Sequence, residues 1–167
     1  MPSYLFRRLQ EKELDAGYGI IVEVTDWLLS QGVRQWLQPL PYETYVTRQR
    51  SSENYGLFMD NELAAVVSLM NARPDYWASS LPKTDFKWMA TLASARKFKG
   101  HKLGELALSE AEHFLAVEGV PAIYLDCIYG NGALPKFYEL LGYHQIVRKP
   151  IEFPHGTLDS VLMRKRL

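Results

Sequence analysis

Hydrophobic positions recur along the chain at two periods, one typical of β-strands and the other typical of α-helices. Strand-like segments cover residues 3–10, 55–59, 63–70, 86–95, 122–128, 144–147 and 160–165. Helical spacing of apolar residues covers 13–31, 42–52, 104–118 and 134–141. Between these segments, Asp60-Asn61-Glu62 predicts a hairpin turn, and residues 71–83 and 151–159 are predicted loops.

The order of these elements predicts an α/β protein. Strands surround a strand-helix-strand unit, and helices on both sides imply a three-layer α-β-α sandwich with a mixed, mostly antiparallel sheet. Residues 122–128 form a nearly continuous apolar run, interrupted by Asp126, which is typical of a central strand covered on both faces. The chain has 167 residues, of which 47% are hydrophobic. We therefore expect a single domain spanning residues 1–167.

The helix predicted at residues 104–118 places its apolar side chains on one face. The predicted buried stripe consists of Leu103, Leu106, Ala107, Ala111, Phe114 and Leu115. Glu105, Glu112 and His113 are expected on the outer face, and Gly119 ends the helix.

Charge and cysteine content narrow the functional class. Lysine and arginine total 19, aspartate and glutamate total 19, and this balance gives no general basic face for nucleic-acid binding. The single cysteine, Cys127, excludes an intrachain disulfide and fits a reducing compartment. The first residues lack the apolar core of a signal peptide, and no window is long and apolar enough for a membrane span. We therefore expect a cytoplasmic protein without membrane contact.

A basic, glycine-bearing loop lies between the strand at 86–95 and the following helix. It contains Arg96, Lys97, Lys99, Gly100, His101, Lys102 and Gly104. Backbone amides in the first turn of a helix have no intrahelical acceptor, and the helix dipole adds positive potential there. Such a loop, whose glycines allow close approach of the main chain, predicts a site for an anion such as a phosphate.

Two motifs in this region resemble those of a known superfamily. Lys99-Gly100-His101-Lys102-Leu103-Gly104 is similar to the Gln/Arg-x-x-Gly-x-Gly/Ala signature of the GNAT superfamily of acyl-CoA-dependent N-acyltransferases. The second signature is matched by Asn131, Leu134, Phe137, Tyr138, Leu141, Gly142 and Tyr143. The sequence departs from the first signature at Lys99 and at Lys102, which stands where the family has glycine. The resemblance implies the GNAT order of strand, two helices, three strands, helix, strand, helix and two strands.

The resemblance also implies roles for individual residues, with acetyl-CoA as co-substrate and no metal. It assigns the pyrophosphate loop to Lys97, Lys99, Gly100, His101, Lys102, Leu103 and Gly104. It assigns contact with the pantetheine arm to Leu92, Ala93 and Ser94 through the strand backbone, to Asn131 as a hydrogen-bond donor, and to Phe137 along the cofactor. By the same resemblance, Tyr138 is the acid facing the sulfur of coenzyme A. Each side chain also has a purely structural interpretation: Asn131 can cap a helix, and Phe137 and Tyr138 can pack in the core.

Transfer of an acetyl group to an amine needs a proton acceptor, and the sequence does not single one out. The place where family members commonly carry a glutamate corresponds to Phe86. Asp85 is adjacent, but neighbours on a strand point to opposite faces, and Asp126 lies on the next strand. We expect water-mediated deprotonation, with Asp85 as a hypothesis.

Cys127 is interpreted as a small buried apolar group, and the four histidines share no metal-binding spacing.

The N-terminal half is expected to recognise the acceptor, for which we favour the primary amine of a small molecule. Candidate contacts are the aromatic residues Trp27, Trp36, Tyr42, Tyr45, Tyr76 and Trp77, most of which we expect in the core, and the acidic residues Glu43, Glu53 and Asp75. A homodimer through the C-terminal strand is possible in such folds.

Two other functions stay open. One is an acyl-CoA sensor without catalytic activity, which the missing glutamate suggests. The other is a nucleotide-binding or kinase-like domain, although this sequence lacks the Gly-Lys-Ser/Thr motif of such domains.

Overall fold

The computed structural model describes residues 1–167 and contains seven strands and four α-helices in the predicted order. The strands are β1 (Tyr4–Arg8), β2 (Asn54–Met59), β3 (Glu62–Met70), β4 (Lys87–Ser94), β5 (Ala122–Ile128), β6 (His144–Phe153) and β7 (Gly156–Arg166). The helices are α1 (Leu14–Ser30), α2 (Tyr42–Arg50), α3 (Leu103–Val117) and α4 (Ala133–Leu140). Three short 3₁₀ helices cover Glu11–Glu13, Asp75–Ser80 and Arg96–Phe98.

The strands form one sheet in the order β1-β2-β3-β4-β5-β7-β6. All neighbours are antiparallel except β4 and β5, which are parallel. One face packs against α3 and α4, and the opposite face packs against α1 and α2. The α/β class and the three-layer sandwich with a mostly antiparallel sheet are therefore confirmed. None of the helices combines the length and apolar character that crossing a membrane requires.

Helix α3 buries nearly the face that its periodicity predicts. Leu103, Ala107, Ala111 and Leu115 are fully buried, and Leu108 joins them although it was not in the predicted stripe. Leu106 and Phe114 are only partly buried, at the edges of that face. Far from lying free on the outer face, Glu112 accepts a hydrogen bond from Lys165 Nζ at 2.6 Å, which ties α3 to β7.

Two predicted loops contain regular structure. Residues 151–159 were expected to be a loop, but the β6–β7 ladder continues through Ile151↔Leu158 to Phe153↔Gly156, so only Pro154 and His155 form the turn. Within residues 71–83, Asp75–Ser80 forms a 3₁₀ helix because Trp77, which is completely buried, packs against the sheet. Turn-forming residues predicted loops at both places, but pairing and burial across the sheet decided the structure.

Candidate active site

The sheet opens between its two parallel strands. β4 and β5 are paired only at Lys87↔Ile123 and Trp88↔Tyr124, and they diverge beyond that point. On its other side β4 bulges against β3, where the register shifts between Val66 and Ser68. Thr91, within the bulge, has a φ of 60°, a strained value for a β-branched residue. The remaining edge of β4 therefore faces a gap in the sheet instead of a paired strand.

A cavity of about 560 Å³ extends through this gap. Leu125, Cys127 and Tyr138 line it from the side of α3 and α4. Arg48 and Asp126 line it from the side of α2 and the 3₁₀ helix at 75–80. The α1–α2 connection and the β6–β7 turn complete the second side, through residues 35–41 and 153–155. The gap thus joins the two faces of the sheet in a single chamber.

The predicted phosphate loop lies at the start of α3, beside the end of β4. The amides of Gly100, Lys102, Leu103 and Gly104 donate to no acceptor within the protein, and no side chain caps the helix. Gly100 has a φ of 94°, which favours glycine, and a Cβ placed on Gly104 would meet no atom within 4 Å. Free donors, the helix dipole and open space at Gly104 fit a diphosphate held by the main chain.

The departure from the motif at Lys102 leaves the loop conformation intact. Lys102 adopts the left-handed conformation, with φ 52° and ψ 37°, which the family's glycine would adopt more readily. The amides on either side of it keep the orientation of a left-handed turn into α3. The lysine therefore adds backbone strain and a nearby positive charge while leaving the main-chain donors in place.

Some of the other residues assigned to the cofactor line the cavity or are exposed in the loop, whereas the rest are engaged in contacts within the protein. Leu92, Ala93 and Ser94 line the cavity where β4 leaves β5, and His101 and Lys99 are exposed in the loop. Lys97 instead forms an ion pair with Glu62 on β3, and this contact holds its ammonium group. Asn131 Oδ1 accepts a hydrogen bond from the Ala133 amide at 3.1 Å, at the first residue of α4, while Gly132 is the N-cap residue. Phe137 lies outside the cavity and packs edge-to-face on Tyr138, with ring centroids 5.1 Å apart.

Tyr138 projects from α4 into the chamber. Its ring packs against Phe137 and Tyr143 in the core, and only 9% of the residue is exposed. Burial, followed by the nearby Cys127 and Asp126, raises the pKa of the Tyr138 hydroxyl well above its usual range. The phenol therefore stays protonated at neutral pH and is available as a hydrogen-bond donor or acid.

Asp126 is the only acidic residue that lines the cavity. Its Oδ2 accepts a hydrogen bond from Trp77 Nε1 at 2.8 Å. Burial raises the pKa of the Asp126 carboxyl, and the Trp77 hydrogen bond opposes this only in part. Asp85 is exposed and precedes β4, and neither it nor the buried Phe86 lines the cavity. Asp126 is therefore the carboxyl group that the cavity offers as a candidate base, whereas Asp85 is not, and water-mediated deprotonation stays a prediction.

Cys127 also reaches the cavity but lacks the character of a nucleophile. It is 3% exposed, and its thiol lies 3.9 Å from Met163 Sδ. Burial, with a contribution from Asp126, raises the pKa of the thiol to about 12. Among all His, Cys, Asp and Glu side chains, no group of three is placed to hold a metal ion.

The acceptor side differs from the sequence-based expectation in its charged residues. Of the six candidate aromatics, Trp36 and Tyr76 line the cavity, while Tyr45 and Trp77 are buried in the core. Glu43, Glu53 and Asp75 all lie outside it.

Arg48, which the sequence analysis did not select, lines the cavity and donates to Thr91 Oγ1 at 2.5 Å and to Ser68 Oγ at 3.3 Å. No local sequence signal marks Arg48, since its position is set by its contacts with Ser68 on β3 and Thr91 on β4, which are distant in sequence.

The strand order, with one parallel pair at the gap, agrees with the GNAT order that the two sequence motifs imply. The profile of the Acetyltransferase (GNAT) family matches residues 21–143. The chain belongs to the GNAT acetyltransferase family and is an acyltransferase.

Related proteins agree with this assignment. The uncharacterized N-acetyltransferase YesJ of Bacillus subtilis (strain 168) is 33% identical over 132 residues, covering 75% of this chain and 73% of YesJ. The ribosomal-protein-S18-alanine N-acetyltransferase of Escherichia coli has the same fold, with a TM-score of 0.72 and 18% identity over 98% of this chain and 94% of that one. The acetyltransferase yncA of Salmonella typhimurium, whose structure contains its cofactor acetyl-CoA, gives a TM-score of 0.70 and 12% identity over 98% and 94% of the two chains.

Proposed function

We propose that the protein transfers an acetyl group from acetyl-CoA directly to the primary amine of a small molecule. The observation that carries this proposal is the single chamber through the β4–β5 gap, with Tyr138 on one side and Asp126 on the other. The free amides of Gly100, Lys102, Leu103 and Gly104 lie beyond the end of β4 and suit the diphosphate of coenzyme A. Leu92, Ala93 and Ser94 then provide the strand edge that the pantetheine arm would follow into the chamber.

The two chain segments that form walls of the acceptor side favour a small molecule. Gln35 Oε1 accepts a hydrogen bond from the Ile128 amide at 2.8 Å, which ties the α1–α2 connection to β5. The β6–β7 turn meets the same connection, because a Cβ on Gly156 would lie 3.3 Å from Leu37 Cδ1. These contacts hold the two segments together as walls of the chamber, and its volume of about 560 Å³ suits a compact ligand better than an extended polypeptide.

Two side chains carry the proton transfers in this mechanism. The thioester supplies an acetyl group that is already activated, so positioning the amine beside it provides much of the acceleration. Asp126 takes one proton from the acceptor's ammonium group, which frees the nitrogen lone pair. Tyr138 gives a proton to the sulfur as the C–N bond forms and the C–S bond breaks, and it regains a proton from the same nitrogen. Asp126 then releases its proton to solvent, which completes the balance.

The test is thiol release from acetyl-CoA across a panel of amino acids, other small amines and short peptides, with products identified by mass. We expect turnover with a small amine and a fall of about 100-fold in kcat for Tyr138→Phe, since general-acid groups contribute factors of this order. Tyr143→Phe is the matched control, because this ring lies 5.6 Å from Tyr138 but does not line the cavity. Tight acetyl-CoA binding without turnover on any amine would contradict the proposal and identify an acyl-CoA sensor. Turnover on peptides alone would contradict the small-molecule acceptor.

A further inference from the structure

Two oppositely charged side chains line the acceptor side of the chamber without forming an ion pair. Arg48 forms no ion pair with any carboxylate, and Asp126 forms none with any cation. Each also loses water on burial, which lowers the pKa of Arg48 and raises that of Asp126. Buried charges are normally paired, because desolvation without a partner is costly. The protein gives neither of these partly buried groups a counter-ion in direct contact, although the more distant Glu53 acts electrostatically on Arg48.

The guanidinium of Arg48 is held rigidly but retains free donors. Its Nη1 donates to Thr91 Oγ1 and Ser68 Oγ, which fixes the plane of the group beside the bulge of β4. Its Nε is buried without a hydrogen-bond partner, and Nη2 donates to no protein acceptor. Nη2 therefore keeps its N–H groups for an acceptor at the cavity wall, and a carboxylate is the acceptor that a guanidinium binds most strongly.

Both charges act on the same part of the chamber. Tyr76 lines the cavity with them, and burial raises the pKa of its hydroxyl. The negative charge of Asp126 raises that pKa further, whereas the positive charge of Arg48 lowers it. Arg48, Tyr76 and Asp126 thus line one cavity of about 560 Å³, a volume in which one small ligand can contact both charged groups.

We infer that the acceptor is a zwitterionic small molecule of the amino-acid class, whose amine faces Asp126 and whose carboxylate is bound by Arg48. This inference rests on the proposed acetyltransfer to a small amine and specifies its substrate. A ligand of this kind neutralises both buried charges at once. An amine without an anionic group leaves Arg48 desolvated and unpaired, and a buried charge left in this state strongly weakens binding.

The native protein supplies the first test, which needs no variant. Each standard amino acid is compared with its carboxamide and, where available, with its decarboxylated amine, by kcat/KM from thiol release. At least one amino acid should exceed its carboxamide by about 100-fold, the size expected when a buried charge loses its partner. Carboxamides or simple amines that react as well as the acids, or an amine panel in which no amino acid reacts or binds, would overturn the inference while leaving acetyltransfer itself intact.

Substitution of Arg48 then identifies the group responsible. Arg48→Gln should lower kcat/KM for the amino acid about 100-fold and change that for the carboxamide less than about threefold. Arg50→Gln is the matched control, because Arg50 is exposed in the last turn of the same helix and does not line the cavity. Equal losses on acid and carboxamide would show a structural role for Arg48 and overturn the assignment.

A binding measurement separates this inference from the proposed function. The thermal shift produced by the preferred amino acid is compared with that of its carboxamide, in native and Arg48→Gln protein without acetyl-CoA. Stabilisation of the native protein by the amino acid alone, without any turnover, would refute the proposed catalysis and support the zwitterion site. No preference in either measurement would overturn the site.

Discussion

The proposed co-substrate site and the proposed acceptor site offer different binding groups. At the start of α3, beside the chamber, these are the free main-chain amides of Gly100, Lys102, Leu103 and Gly104, in a left-handed turn into the helix. On the side of α2, the binding groups are the side chains of Arg48, Tyr76 and Asp126, contributed by three separate elements. A backbone site depends on conformation and accepts many side chains, whereas a side-chain site depends on the identity of each residue.

This difference explains how a family can share a co-substrate and differ in acceptors. The diphosphate of a common co-substrate needs only free amides and a helix start, so the site is compatible with a lysine at position 102. Acceptor recognition requires charges at specific points, and each can be changed by one substitution without altering the loop. We therefore expect substitutions on the α2 side to affect selectivity and proton transfer, and substitutions in the α3 loop to affect the affinity for acetyl-CoA.

The largest expected effect is that of Asp126→Asn on the acceptor side. Removing the base should lower kcat/KM about 1000-fold, within the range of general-base contributions. In the native protein, activity should fall as the pH decreases through the raised pKa of Asp126, because the protonated carboxyl cannot accept a proton. This limb of the pH profile should be absent in Asp126→Asn. If the variant kept full activity and an unchanged pH profile, Asp126 would not be the base, and deprotonation through water would be favoured instead.

The same substitution should raise stability at neutral pH. The pKa of Asp126 is higher in the folded than in the unfolded protein, so folding binds its proton more tightly. The contribution of the Asp126 carboxyl to the stability of the folded protein is complete below the pKa that this group has in the unfolded chain. It is lost as the pH rises through the pKa that the group has in the folded protein. Asparagine stays neutral and can still accept the hydrogen bond of Trp77. Thermal unfolding should show a stability gain that grows with pH over this window, and a loss of stability would contradict the cost assigned to the buried carboxylate.

The comparison also shows which parts of the site the sequence could predict. The phosphate loop depends on consecutive residues around Gly100 and on the helix that follows, so it has a local signature. Asp126 had a weaker signal: a charged residue within an otherwise apolar central strand is costly and needs a reason. Its partner Trp77 lies 49 residues away, and the 3₁₀ helix that carries Trp77 was predicted to be a loop. Arg48 had no signal, since Arg48-Gln49-Arg50 resembles an exposed helix end.

The fold was easier to predict because each element carries its own periodicity. Strand β5 was predicted with its observed bounds, and the Asp60–Asn61 turn was predicted at the right place, with both residues at positive φ. The extent of β6 and β7 was missed because an exposed edge ladder needs no apolar pattern. It is specified by pairing between the two strands, which the sequence does not display locally.

A smaller effect is expected for Gly100→Ala on the co-substrate side. A Cβ at a φ of 94° is strained by roughly 1–2 kcal/mol, so the loop should leave the binding conformation and the KM for acetyl-CoA should rise about tenfold. Gly119→Ala is a matched control at the other end of α3, where φ is 79° and there is equally open space. Both variants should unfold at lower temperature, but only Gly100→Ala should change this KM. A KM increase in both would mean that general loss of stability, not loop geometry, weakens binding.

The smallest expected effect is that of Lys102→Gly, which tests whether the loop binds through its backbone. Glycine removes the strain of a left-handed lysine, so stability should rise by about 1 kcal/mol, or roughly 2–4 °C in Tm. Because the amides keep their orientation, the KM for acetyl-CoA should change less than about threefold. Lys99→Gly removes the same charge from a residue with an ordinary φ of −50°, so it should give no gain in Tm. If Lys102→Gly instead raised the KM for acetyl-CoA tenfold or more, the Lys102 ammonium would be a main phosphate ligand. The co-substrate would then be bound by a side chain as well as by the backbone, and the contrast between the two sites would no longer hold.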